Sequence, residues 1–169
     1  MKPKISLNKI LPIIGNCETL LGNPLLTVFV KNVPTYTLNF DGCSKGNPGK
    51  GGAGAVIYKD QEEIWSGAMF VGTNVTNNYA EYSGLILGLN KAIEMKIKNL
   101  DVFGDSDLVI KQMKKIYKVK SPNIYQLYLD ASDIAKKFDK IDFTHVYREK
   151  NKRADELSNN GLDLEKIIP

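Results

Sequence analysis

The sequence of 169 residues has little cysteine and histidine and no long apolar run. It contains two cysteines, Cys17 and Cys43, and a single histidine. Two cysteines do not form a disulfide framework, and the absence of a CxxC motif or a Cys/His cluster argues against a structural zinc site. We therefore predict free thiols and an intracellular, reducing compartment such as the cytoplasm. No stretch is long and apolar enough to span a bilayer, so we expect no membrane partner.

The first 34 residues show no regular pattern. The apolar segments ILPII and LLTVFV are interrupted by proline and glycine. Four lysines and one acid leave organelle targeting open, although this part contains no arginine and no clear small-residue cleavage pattern. We predict an extension of unknown role at 1–34, one domain at 35–164 and a tail at 165–169. A chain of this length can bury a substantial core.

Beyond residue 35 the hydrophobic pattern becomes regular. Three strands are predicted at 36–41, 53–58 and 64–71, with short connections that make an antiparallel meander. A helix should follow from Asn78 to about Met95, with Asn78 as its N-cap and Glu81 completing a capping box.

The second half alternates strands and helices. A strand at 100–103 precedes a helix that Ser106 caps and that ends near Ile116. A helix at 124–138, a strand at 142–148 and a helix at 152–162 follow. This order predicts an α/β fold with a mixed five-stranded sheet flanked by helices, in which the first, fourth and fifth strands are parallel.

A glycine-rich segment, FDGCSKGNPGKGGAG, follows the first strand. Gly49, Gly51 and Gly54 satisfy GxGxxG, but a dinucleotide-binding loop must open a helix, and here a strand follows. A Walker loop is excluded because Gly49-Lys50 is not followed by Ser or Thr. The segment is therefore predicted to form a β-hairpin.

Four carboxylates are predicted to converge. Asp41 and Asp105 follow neighbouring strands, whose spacing of about 4.8 Å lets their side chains reach one cation. Glu81 and Asp155 lie near helix starts that can face the same crevice. Each acid alone could instead serve a cap or a turn. Together they need a counterion, and oxygen-only ligands favour Mg²⁺ or Mn²⁺.

Four segments carry a family resemblance: DGCSKGNPGKGGAG, TNNYAEYSGLILGL, GDSDLVIKQM and REKNKRADELSN. In order and spacing they resemble the signature segments of type 1 ribonuclease H, over about residues 36–160. The resemblance implies the ribonuclease H-like strand order 3-2-1-4-5. It also implies a monomeric endonuclease that cuts the RNA strand of RNA–DNA hybrids, leaving 5′-phosphate and 3′-hydroxyl ends. Its catalytic set, holding two metal ions, would be Asp41, Glu81, Asp105 and Asp155.

The resemblance further implies a set of nucleic-acid contacts. The glycines of the hairpin would let the backbone approach RNA, whose 2′-hydroxyls distinguish it from DNA. Asn78 has N-capping as an alternative role. The expected contacts are Gly42, Cys43, Ser44, Asn47, Asn77, Asn78, Ser106, Lys114, Lys115, Lys118 and Asn151.

The chain departs from the family pattern at two places. Asp107 stands where many members carry a glutamine, which puts that minor-groove contact in doubt. KVKSPN joins two helices directly, without the long basic handle of many bacterial members, so the chain is closer to the compact archaeal and plant-like branch. The lysines of residues 111–120 occupy this place and suit either phosphate contact or a solvated helix face.

Two residues compete for an assisting role in catalysis. His145 lies ten residues before Asp155, where many members carry a mobile catalytic histidine. Arg148 lies seven residues before it, where the compact branch carries an arginine. If DFTHVYR is one continuous strand, the two side chains point to opposite faces. We favour Arg148, which can oppose developing charge but cannot act as a general base.

Two other functions remain alternatives. One is a hybrid- or duplex-binding module without catalysis, against which the intact carboxylate set argues. The other is a different nuclease of the same fold, such as a junction resolvase or a transposase-like core. The NPG loop and the REKNKRAD segment favour hybrid cleavage over that alternative.

Overall fold

A computed structural model of the chain describes residues 33–167. The extension predicted at 1–34 lies outside the described residues except for its last two, and Cys17 lies outside them as well. Cys43 is a free thiol, as predicted. Within the described range, no helix has the length and apolar character needed to cross a membrane.

The described residues form five strands, four α-helices and two short 3₁₀ helices. The strands are β1 (Tyr36–Lys45), β2 (Gly49–Lys59), β3 (Glu62–Val75), β4 (Asn99–Gly104) and β5 (Lys140–His145). The α-helices are α1 (Asn77–Glu94), α2 (Asp107–Met113), α3 (Pro122–Ala135) and α4 (Lys152–Asp163). The 3₁₀ helices span Arg148–Lys150 and Leu164–Ile167.

The strands form one mixed sheet in the order β3-β2-β1-β4-β5. β1 pairs antiparallel with β2, and β2 with β3. β4 runs parallel to β1 and to β5. The predicted meander, the strand order and the three parallel strands are therefore confirmed.

Helices cover both faces of the sheet. The main core contains Leu38, Phe40, Tyr82 and Leu85 and extends to residues of α2 and α3. A smaller cluster joins Val56 of β2 to Ala154 and Leu157 of α4. Neighbouring residues of a strand point to opposite faces of the sheet. Helices α1, α2 and α3 pack against one face, and α4 packs against the other.

The start of α1 corrects the predicted cap. Thr76 is the N-cap, and its Oγ1 accepts a hydrogen bond from the backbone N–H of Tyr79 at 3.3 Å. Asn78 therefore lies inside the first turn, and Glu81 completes no capping box. The side chain of Glu81 is left available for the carboxylate cluster.

Three other predicted elements end early, one of them α3, which stops at Ala135 rather than at residue 138. α2 is capped by Ser106 as predicted but stops at Met113 rather than near Ile116. Lys115 has φ +60°, the left-handed conformation that commonly follows a helix C-cap. β5 ends at His145 because its partner β4 ends at Gly104, so the predicted strand to Arg148 is wrong.

Two glycines of the glycine-rich segment are required by packing inside the protein. A Cβ on Gly42 would lie 2.1 Å from the backbone nitrogen of Glu81, and one on Gly54 would lie 2.4 Å from that of Ser158. These two positions let α1 and α4 approach the sheet closely. Close approach to RNA, the role expected from the resemblance, is not needed to explain them.

Candidate active site

The parallel pairing of β1 and β4 places two carboxylates at the same height along the neighbouring strands. Their last paired residues are Phe40 and Gly104, and each is followed at once by an aspartate, Asp41 or Asp105. β1 itself continues to Lys45, so Asp41 does not close its strand, but it stands where the β1–β4 pairing ends. Two acids are thereby fixed side by side.

Glu81 joins them from the second turn of α1. Ligand oxygens of Asp41, Glu81 and Asp105 all lie within 4.8 Å of one another. Asp41 and Glu81 are each only 5% exposed. The structure therefore brings three of the four predicted carboxylates into one cluster, in which Asp41 and Glu81 are buried and Asp105 is half-buried.

The electrostatics of this cluster oppose full ionisation. Burial raises the pKa of Asp41 to about 7, and the charges of Asp105 and Asp155 add to this, against a hydrogen bond from Ser158. Burial raises the pKa of Glu81 well above its ordinary value, and the charges of Asp41 and Asp105 raise it further. Without a counterion, like charges at this spacing favour protonation.

The donor set fits a hard divalent cation. Oε2 of Glu81 is buried and has no hydrogen-bond partner among the described residues. Buried polar atoms are normally satisfied, so an orphaned carboxylate oxygen facing two other carboxylates indicates a missing positive partner. Oxygen-only ligands suit Mg²⁺ or Mn²⁺ rather than zinc.

The fourth carboxylate, Asp155, lies in the first turn of α4 on the same cleft. Its Oδ1 accepts a hydrogen bond from the guanidinium of Arg148, whose side chain is 73% exposed. The cleft has a volume of about 510 Å³. It is lined by Asp41, Gly42, Cys43, Ser44, Lys45, Asn77, Glu81, Asp105, Ser106, Arg148 and Asp155.

Asn151 has a different role from the one predicted. It is 1% exposed, and its Nδ2 donates to the backbone oxygen of Phe40 at 2.9 Å and to Oδ1 of Asp105 at 3.3 Å. Its Oδ1 accepts from Nδ2 of Asn39 at 3.0 Å. Both ends of the amide are used inside the protein, which argues against the predicted nucleic-acid contact. Asn151 holds Asp105 in place.

Ser158 is a site residue that the sequence analysis missed. Its hydroxyl donates to Oδ2 of Asp41 and also lies 2.9 Å from the backbone oxygen of Asp155. The available signal was its position three residues after Asp155, which places it on the same face of a helix. With Asn151 it connects α4 to two of the clustered acids.

Most other predicted contact residues surround the cleft. Gly42, Cys43, Ser44, Asn77 and Ser106 line it, as the cleft residues above show. Asn47, in the hairpin turn, accepts a hydrogen bond from the backbone N–H of Asn77 at 2.9 Å, which links the turn to the start of α1. Asn78 lies in that first turn of α1 but outside the lining.

The predicted lysines lie elsewhere. Lys114, Lys115 and Lys118, which we term the basic turn, are exposed between α2 and α3 and do not line the cleft. Ile116 and Tyr117 beside them are 60% and 46% exposed. The basic turn is therefore a surface separate from the cleft.

His145 and Arg148 occupy different surroundings. Because β5 ends at His145, His145 and Arg148 do not share a strand, and the argument from strand alternation does not apply. Arg148 nevertheless lines the cleft, and His145 does not. His145 Nε2 lies 3.2 Å from the backbone oxygen of Asp105, and its ring packs edge-on against Tyr147. The structure thus brings the favoured residue, Arg148, to the carboxylates.

Fold and site together define a ribonuclease H-like domain. Residues 39–161 match the family model described as Reverse transcriptase-like. The chain is 37% identical over 125 residues to ribonuclease HI of Halobacterium salinarum, covering 73% of this chain and 62% of that protein. The chain belongs to the type 1 ribonuclease H family.

A second relative is the bifunctional protein Rv2228c of Mycobacterium tuberculosis, 40% identical over 124 residues. The match covers 73% of this chain but only 34% of that relative, so the chain spans about a third of its length. Its N-terminal RNase H domain, solved as a fusion with maltose-binding protein, superposes with a TM-score of 0.74 at 37% identity, covering 78% of this chain and 95% of that chain.

A third similar protein is LC11-RNase H1, whose structure was solved in complex with an RNA/DNA hybrid. It superposes with a TM-score of 0.71 at 32% identity, covering 76% of this chain and 97% of that chain. The likeness therefore extends over nearly the whole of that solved domain.

Proposed function

We propose that this chain is an endonuclease that hydrolyses the RNA strand of RNA–DNA hybrids with two divalent cations, Mg²⁺ or Mn²⁺. The products would carry 5′-phosphate and 3′-hydroxyl ends. The observation that carries the proposal is the cluster of Asp41, Glu81 and Asp105 within 4.8 Å. It is supported by the likeness to LC11-RNase H1, which was solved with such a hybrid.

Asp41, Glu81, Asp105 and Asp155 would hold the cations. Asp41 would be the central ligand, Glu81 and Asp105 would serve the cation that acts on the attacking water, and Asp155 would serve the cation that acts on the leaving 3′ oxygen. When bound, the cations would activate the water and stabilise the leaving oxygen.

The protein holds these ligands in place beforehand. The hydroxyl of Ser158 fixes Asp41, the amide of Asn151 fixes Asp105, and the backbone N–H of Gly42 hydrogen-bonds the carboxylate of Glu81. Because the pKa values of Asp41 and Glu81 are raised, cation binding must displace protons. Cation affinity should therefore increase with pH through neutrality.

Arg148 would act on the phosphate. Its guanidinium lines the cleft and contacts Asp155, so it stands beside the place where a phosphodiester would meet the carboxylates. It can orient the phosphate bidentately and oppose the developing negative charge, but it cannot accept a proton at neutral pH. His145, bonded to the Asp105 carbonyl, has no comparable access to the cleft.

Recognition of RNA would come from polar groups around the cleft. The hydroxyls of Ser44 and Ser106 and the amides of Asn47 and Asn77 suit sugar hydroxyls and phosphate oxygens. The basic turn would take phosphates farther along the duplex, where lysine charge adds salt-dependent affinity.

One experiment separates the proposal from its alternatives. Labelled RNA–DNA hybrid, RNA duplex and DNA duplex are each incubated with the full chain in Mg²⁺, Mn²⁺ or EDTA. We expect cleavage of the hybrid's RNA strand in Mg²⁺ or Mn²⁺ and none in EDTA. Binding without cleavage in any metal would support the binding-module alternative, and preferential cutting of DNA would support a different nuclease.

A further inference from the structure

Two lysines close the β1–β2 hairpin beside the carboxylate cleft. Lys45 and Lys50 face each other as the last pair of the antiparallel ladder before the turn, and both are exposed. Lys45 lines the carboxylate cleft. It also lines a second cavity, of about 380 Å³, to which Lys50 contributes as well. The two cavities therefore meet at Lys45.

The second cavity is lined mainly by polar residues and is anchored to the site. Asn159 and Asn160 of α4 contribute to its lining, and Nδ2 of Asn159 donates to the backbone oxygen of Asp155 at 2.8 Å. The wall of this cavity is thus tied to the helical turn that presents the fourth carboxylate. A strand lying across the carboxylates would meet this cavity next.

The balance of charge at the cleft singles out Lys45. The basic residues that line the cleft are Lys45 and Arg148, and the guanidinium of Arg148 is already bound to Asp155. Among the described residues, no salt bridge engages Lys45. An anionic strand approaching four carboxylates therefore has this ammonium group available at the hairpin end of the cleft.

Lys50 already forms an ion pair with a carboxylate of the same chain. Its Nζ lies 2.5 Å from Oε2 of Glu165, in the 3₁₀ helix that follows α4. A carboxylate and a phosphate are interchangeable acceptors for an ammonium group. Glu165 thus shows that an anionic oxygen can be accommodated at this point of the cavity.

We propose that Lys45 and Lys50 form a clamp for a backbone phosphate of the RNA strand, a few nucleotides from the scissile bond. In the free protein Glu165 occupies that phosphate's place on Lys50. The RNA strand is assigned because the strand that presents its phosphate to the carboxylates would continue over the cavity that shares Lys45 with the cleft. This inference rests on the proposed function. It adds a subsite at which Glu165 of the same chain and the RNA phosphate compete for Lys50.

The first test measures hybrid binding by fluorescence anisotropy over a salt series, with the full chain carrying Asp105→Asn to prevent cleavage. Replacing Lys45 and Lys50 by Ala should weaken binding and lower the log–log salt slope by roughly 0.7–0.9 per lysine. Glu165→Gln should tighten binding by roughly two- to fivefold, the range expected from a surface ion pair.

Lys59→Ala is the matched control, since Lys59 is an exposed lysine at the opposite end of β2. It removes the same charge and should leave both affinity and slope unchanged. An equal effect of Lys59→Ala and the double substitution, or no tightening by Glu165→Gln, would overturn the clamp.

The second test assigns the strand. Neutral methylphosphonate linkages are placed one at a time along the RNA strand or the DNA strand of the hybrid. In the parent, a neutral linkage at one or two RNA positions beside the cut should weaken binding. In the double lysine variant the same linkages should have no effect, as expected for interacting partners in a double-mutant cycle. Sensitivity confined to the DNA strand, or the same profile in both proteins, would contradict the proposal.

Failure of this inference can be distinguished from failure of the proposed function. If the unmodified chain cuts hybrids in Mg²⁺ or Mn²⁺ while the lysine substitutions leave binding unchanged, the clamp is wrong and the function stands. If the unmodified chain neither binds nor cuts hybrids, both are wrong.

Discussion

Replacing Asp41 by Asn should stabilise the cation-free protein while abolishing cleavage. The native structure buries Asp41 among other acids and raises its pKa from 3.8 to about 7. The unfolded chain therefore loses the Asp41 proton at a lower pH than the folded chain does. Between these pH values the folded state binds more protons, so stability falls as the pH rises.

The magnitude follows from the same two pKa values. For this group alone, the destabilisation is about 2 kcal/mol at pH 5 and about 4 kcal/mol at pH 8. Asparagine has no such dependence and can still accept the hydrogen bond from Ser158. The advantage of Asp41→Asn should thus grow by about 2–3 kcal/mol between pH 5 and pH 8.

Urea unfolding in EDTA at pH 5 and pH 8 measures this advantage directly. Asp133→Asn is the control, since Asp133 is 71% exposed and its one ion pair within residues 33–167 is with the neighbouring exposed Lys136. Its effect should be small and independent of pH. Saturating Mg²⁺ should stabilise the parent more than Asp41→Asn, because it binds the native carboxylates. A variant less stable than the parent at pH 8 would refute the reasoning.

Three further predictions concern the surroundings of the cluster. Alanine at all three lysines of the basic turn should lower the log–log salt slope of hybrid binding by roughly 0.7–0.9 per phosphate contact. An unchanged slope would mean that these lysines form a solvated face without phosphate contacts. Arg148→Ala should reduce kcat well beyond its effect on binding, whereas His145→Ala should not; the reverse ranking in folded proteins would assign the role to His145. Asn151→Ala should cost roughly 1–3 kcal/mol in urea unfolding and reduce kcat by releasing Asp105, and wild-type values for both would exclude a positioning role.

The sheet and the acidic cluster were predictable because they depend on order along the chain. Hydrophobic period and connection length indicate which strands are parallel. Once β1 and β4 are neighbours, acids that follow their last paired residues must lie together, as Asp41 and Asp105 do. The full strand order 3-2-1-4-5 was implied by the family resemblance, and it is confirmed.

Features that depend on docking between distant elements could not be predicted in this way. Nothing local distinguishes Asn151 as an asparagine that reaches Asp105 from one that reaches RNA; the docking of α4 decides it. Ser158 meets Asp41 for the same reason. β5 ends at His145 because β4 has ended, which the sequence DFTHVYR does not reveal by itself.

The measurement that most directly tests the central claim is cleavage of a hybrid labelled on its RNA strand, by the parent and by Asp105→Asn, with folding of both verified by circular dichroism. The account predicts that the parent in Mg²⁺ or Mn²⁺ cuts the RNA strand alone, leaving 5′-phosphate ends, and that Asp105→Asn binds the hybrid without cutting it. Wild-type cleavage by Asp105→Asn, or binding without cleavage by the parent in both metals, would contradict it.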